Sequence, residues 1–141
     1  MRISCAAKRY ATDCVAAIRM LGPVFEKAKI VSADFAEALL ETAMANSGAV
    51  VLMPGLAVLT TDQPSFTTGI AVLTLTDPVE FGHSLNDPVD LIIGVATAEE
   101  DSVFRTRARI AGLIGDFQKL ESVRNAATDE ELICLLEAIK L

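Results

Sequence analysis

The chain holds one histidine, His83, in the stretch Phe81-Gly82-His83-Ser84-Leu85-Asn86-Asp87-Pro88. An imidazole changes charge near neutral pH and can serve as base, metal ligand or phosphoryl acceptor. No second titratable group stands at an obvious spacing from His83, so the residues alone read as a surface or loop-bracing histidine. Three cysteines, Cys5, Cys14 and Cys134, are odd in number and widely spaced, with no CxxC pair. A zinc site or disulfide framework needs closer, paired ligands, so the expectation is reduced structural thiols and no metal. Arg105, Arg107 and Arg109 form the one basic cluster. On a helix only Arg105 and Arg109 share a side, which reads as a solvated outer face. Phosphate-cradling glycine loops, zinc-protease and nucleophile-elbow motifs are all missing from the sequence, and no motif implies a cofactor.

The elements that would hold these residues follow from hydrophobic spacing. Val15, Ile18, Leu21 and Phe25 recur at steps of three and four, which predicts a helix over residues 12–25. A second helix opens at the N-cap candidate Ser32, carries Phe35 and Leu39, and ends at Asn46-Ser47-Gly48. Residues 49–53 and 56–59 are short apolar runs separated by Pro54-Gly55, read as buried strands with a turn between them. Residues 69–76 alternate as a strand that stops at Asp77-Pro78. Residues 89–96 are apolar at nearly every position, as a central strand covered on both faces must be. Helical spacing returns after Asp101 with Phe104, Ala108, Ala111 and Ile114, breaks at Gly115-Asp116, and resumes over 117–125 and 129–141. Thr128 and Glu131 stand at capping-box spacing before the last helix. Helices at both ends with strands in the middle predict an α/β domain, a mixed central sheet flanked by helices on both faces.

The order of these segments resembles the type-2 enzyme IIA family of the sugar phosphotransferase system, whose mannitol, fructose and ascorbate members share a mixed sheet flanked by helices. Residues 17–27 and 31–40 are similar to that family's first two helices. Met53-Pro54-Gly55-Leu56-Ala57-Val58 is similar to its strand turn, and Asp77-Pro78-Val79-Glu80-Phe81-Gly82-His83 followed by Asn86-Asp87-Pro88-Val89 is similar to a segment of its ascorbate-type members. The resemblance covers nearly the whole chain.

It implies a phosphoryl group carried on a histidine, received from the carrier HPr and passed to the IIB domain of a membrane transporter. The family's histidine follows the strand turn, where this chain reads Leu59-Thr60-Thr61-Asp62, so Thr60 takes its position and Asp62 that of the neighbouring arginine. A second family histidine corresponds to Val103 in Asp101-Ser102-Val103-Phe104. No shift of register restores the site, because no histidine precedes Gly82 and none follows His83. Each loss has a chemical cost. Transfer needs a neutral imidazole as nucleophile and a phosphoramidate that can be handed on, whereas a threonine ester holds its phosphoryl group. Charge spreading over the phosphoryl oxygens needs donors, which Val103 lacks, and Asp62 repels.

Three readings follow. The first is a degenerate IIA component that carries no phosphate and acts by binding or regulating HPr or IIB/IIC transport partners. The second is a working phosphocarrier relaying phosphoryl groups through His83, with Ser102 and Asp87 assisting. The third is a small-molecule sensor using the emptied cleft, lined by Thr60, Thr61, Ser102 and Val103, as its pocket.

The totals are compatible with each. The 141 residues, 52% hydrophobic and 22% charged, suit a single domain over 1–141 with one core. Mean hydropathy is +0.44, yet the longest apolar run, 49–59, is broken by Pro54-Gly55, short of the roughly 18 residues a span requires. The first ten residues have no signal-type stretch after them. A cytoplasmic protein without direct membrane insertion is therefore expected. A net charge of −7 argues against nucleic-acid binding. The resemblance allows a homodimer without requiring one.

Overall fold

The computed structural model describes residues 2–31, 34–45, 50–61, 65–82, 85–98 and 100–139, with only the backbone over 100–104. Five strands form one mixed sheet: β1 (Arg2–Arg9), β2 (Val51–Met53), β3 (Leu56–Leu59), β4 (Gly69–Val79) and β5 (Val89–Ala96), in the order β1-β4-β5-β3-β2. β1 runs parallel to β4 and β3 parallel to β5, while β4 with β5 and β2 with β3 are antiparallel. Helices α1 (Cys14–Lys27) and α2 (Phe35–Ala45) cover one face, and α3 (Glu100–Ile114), α4 (Phe117–Asn125) and α5 (Asp129–Ala138) the other.

The two faces are read along each strand with a period of two. On β4, Ala71 and Leu73 face α1 and α2 while Ile70 and Val72 face the other layer. On β5, Ile92 and Ala96 point one way and Leu91, Ile93 and Val95 the other. β5 sits in the middle of the sheet, which is why its sequence is apolar without interruption.

Helix α1 starts where the Asp13 carboxylate accepts the Ala16 N–H at 2.8 Å. Its buried stripe, Ile18, Leu21 and Phe25, is the one the spacing predicts. Phe25 packs closely on β5 at Gly94: a Cβ there would sit 3.0 Å from two Phe25 ring carbons. Its ring and that of Phe35 of α2 pack edge-to-face with centroids 5.4 Å apart. At α5, Thr128 Oγ1 accepts the Glu131 N–H at 3.1 Å, while the Glu131 carboxylate accepts from Ala127 N rather than from the cap residue itself. This is a capping box displaced by one residue.

Two expectations are corrected. The chain opens with a strand, not a helix. Ile3-Ser4-Cys5-Ala6-Ala7 has little intrinsic strand preference and owes its extended form to pairing with β4. β4 also continues through Asp77-Pro78 to Val79 instead of turning there. The ladder to β5 is irregular between Thr74 and Val79, and residues 76–78 are exposed, so the missing proline N–H breaks no bond. The expected cap Ser32 and the helix end at Asn46-Ser47-Gly48 lie outside the described residues.

The edge strand β1 is closed by side chains. Its ladder slips between Ala6 and Arg9, around Lys8 at φ +54°. The N–H groups freed there are taken by Asp129 Oδ1 at 2.7 Å from Ala7 and by Thr74 Oγ1 at 2.8 Å from Lys8, while Lys27 Nζ donates to Cys5 O at 2.9 Å. Burial alone pushes Asp129 upward, but the Ala7 N–H, the Arg9 hydrogen bond and the charges of Arg9 and Lys27 outweigh it, so its carboxyl lies below the ordinary range. A strand edge whose polar groups are already occupied is a poor template for pairing with another chain.

Candidate functional site

The segments that carry the family resemblance meet at the start of β3. Met53-Pro54-Gly55 turns the chain from β2 into β3 with Gly55 at φ +80°, a conformation open to glycine. Gly55 N–H donates to Asn86 O at 3.0 Å, and Gly55 O accepts from both Asp90 and Leu91 N–H at 3.0 Å. From α4, Arg124 Nη2 donates to Pro54 O at 2.8 Å. Its Nε stands 3.3 Å from Asp90 Oδ1 without the alignment of a hydrogen bond, so the two attract as charges, and Nη1 reaches Glu121 at 3.4 Å. Lys8 Nζ caps the end of α4 through Arg124 O at 2.7 Å. Across the loop, Asp87 Oδ2 accepts the N–H groups of Phe81 at 2.9 Å and Gly82 at 2.8 Å. The Pro-Gly and Asn-Asp-Pro segments, thirty residues apart in sequence, thus form one brace.

That brace fixes the register of β3 against β5, from Leu56 opposite Leu91 to Leu59 opposite Gly94. Thr60 follows directly. It enters the wall of a groove of about 410 Å³ between the β2–β3 hairpin and α3. Val50, Leu52, Val58 and Val95 line it from the sheet side, and Ile110, Ala111 and Ile114 from α3. Thr42 and Arg107 complete the lining, and Arg107 is its charged member.

Thr60 and Thr61 both lie next to Thr42, a residue of the groove wall. Thr60 lines the groove with Val58, whereas the Thr61 hydroxyl is hydrogen-bonded at 3.3 Å to that of Thr42, whose own proton reaches Ala38 O at 3.0 Å. Ser102 and Val103 lie on α3, Val103 one turn before Arg107, and their side chains, like Asp62 and His83 altogether, fall outside the described residues. Arg105 and Arg109 are exposed as expected, and so is Arg107, which also lines the groove. Arg107 was the residue missed: it stands three and seven positions before Ile110 and Ile114, the spacing that puts all three on one flank of a helix.

The cysteines offer no nucleophile at this groove. Burial, then the Asp129 charge, pushes the Cys5 thiol up, and burial with Asp13 does the same to Cys14, which favours the protonated thiol at both. Cys134 is exposed on α5. No group of three or more candidate metal ligands occurs among the described residues, and no helix among them is long and apolar enough to cross a membrane. The described lining of the groove offers aliphatic walls, hydroxyls and one guanidinium.

This mixed sheet between two helical layers superposes on solved type-2 phosphotransferase IIA domains. The solution structure of the mannitol-specific cryptic phosphotransferase enzyme IIA CmtB from Escherichia coli superposes with a TM-score of 0.80 at 21% identity, over 96% of this chain and 92% of that one. The enzyme IIA of the E. coli mannitol system, solved in complex with phosphorylated enzyme IIB, gives 0.77 at 20% identity over 96% and 94%. In sequence, the ascorbate-specific PTS system EIIA component of Shigella boydii is 29% identical over 113 residues, 78% of this chain and 73% of that protein. Residues 5–139 match the family described as phosphoenolpyruvate-dependent sugar phosphotransferase system, EIIA 2, and the chain belongs to that family.

Proposed function

We propose that residues 1–141 form a single enzyme IIA-like domain of the cytoplasm that no longer carries phosphate and acts by binding the transport components, HPr or a IIB/IIC partner, of an ascorbate-type system. The observation that carries this reading is Thr60. It stands at the end of β3, in the position that the resemblance gives to the phosphoryl-accepting histidine, and it lines a groove whose described lining contains no imidazole. Its hydroxyl would form an ester too stable to pass on. Retention of the brace around Gly55 supports a role for the shape itself, since that brace sets the β3 register whether or not chemistry occurs.

Docking is tested by titration calorimetry against purified HPr and an ascorbate-type IIB domain. Saturable association with at least one of them is the expected outcome, at an affinity unchanged by Thr60→Ala. Absence of heat with both would remove the reading.

A further inference from the structure

The groove beside Thr60 has features that partner docking does not explain. On a chain of net charge −7, its one charged lining residue is a cation, Arg107. Arg107 is exposed, and among the described residues neither it nor the Thr60 hydroxyl has a protein hydrogen-bond or ion-pair partner, so both are open to a ligand. The walls are aliphatic and incompletely covered: Val50, Val58 and Ile114 are half-buried, and Leu52 is 52% exposed. The volume, about 410 Å³, lies in the range of small-molecule sites, roughly 300–1,000 Å³.

We infer that this groove is a binding site for a small aliphatic carboxylate, its anionic end on the Arg107 guanidinium and the Thr60 hydroxyl and its hydrocarbon body along Val58, Val95 and Ile110. A guanidinium presents a planar fork that matches a carboxylate in two parallel hydrogen bonds. Apolar surface left half in water is the complementary half of the ligand's recognition. A sugar is a poor occupant, because each of its hydroxyls needs a partner and a mostly aliphatic wall would leave most of them unpaired. The inference is independent of the docking reading: carboxylate binding needs neither HPr nor a IIB partner.

Octanoate is the probe, titrated calorimetrically into the full chain, with 1-octanol as the uncharged control. Saturable one-site binding of octanoate is expected, at least about tenfold tighter than octanol. Arg107→Ala should weaken octanoate by about tenfold or more and leave octanol unchanged. Ala111→Trp, at an exposed helix position that fills the groove, should abolish binding of both without lowering the melting temperature. Lack of saturable octanoate binding overturns the inference, as does equal affinity for octanoate and octanol.

Discussion

Phe25→Ala is expected to lower the unfolding free energy by about 3–5 kcal/mol, the usual cost of deleting a buried phenyl ring. Phe25 is fully buried, and three separate elements are shaped around it: α1 presents it, Phe35 of α2 packs edge-to-face with it at 5.4 Å between centroids, and β5 gives up a side chain at Gly94 to admit it. Guanidinium or thermal unfolding measures the loss. Gly94→Ala provides the internal check. Its methyl group would press on the ring at 3.0 Å, costing about 1–3 kcal/mol in the natural background, but it has room once the ring is gone. The double variant should therefore be less destabilised than the sum of the two single changes. Simple addition would mean that the ring does not rest on Gly94.

The second large effect is expected at the brace. Gly55→Ala places a methyl group 2.9 Å from both Arg124 Nη2 and Asp90 Oδ1, at a backbone φ of +80°. Backbone strain and displacement of the Arg124–Asp90 pair together should cost about 2–4 kcal/mol. Arg124 is the more flexible of the two neighbours, so in an Arg124→Ala background part of the steric penalty disappears and only the strain of the positive φ persists. Equal melting temperatures for Gly55→Ala and the natural chain would show that the turn adapts and that the brace does not hold the β3 register.

Much of the scaffold was legible from side-chain periodicity. β5 and the helix over 117–125 occur at the predicted positions, because one is apolar through burial on both faces and the other is bounded by Asp116, which caps it by accepting the Lys119 N–H at 3.1 Å. The family was legible from Met53-Pro54-Gly55 and Asn86-Asp87-Pro88, and the structure gives the physical reason. Those segments bind each other through Gly55 N–H and Asn86 O, so their spacing is constrained by one brace. What escaped was set by long-range contact. β1 is a strand because β4 lies beside it, and its alanines and cysteine carry no local sign of that. β4 runs through a proline because its end is an irregular, exposed stretch. The site was legible in part: Thr60 lines the groove, whereas Arg107 was separated from Arg105 and Arg109 by helix phase but given no role, although the same phase against Ile110 and Ile114 sets it in the wall.

The proposal that Thr60 ends phosphoryl transfer while the domain still binds its partners is tested most directly by phosphoryl transfer itself. Intact mass would be recorded after incubation with phosphoenolpyruvate, the general phosphotransferase enzyme and HPr, with a His83→Ala variant alongside. The account predicts an unchanged mass for both proteins. A gain of one phosphoryl group in the natural chain, lost in His83→Ala, would contradict it and make the protein a phosphocarrier working through His83.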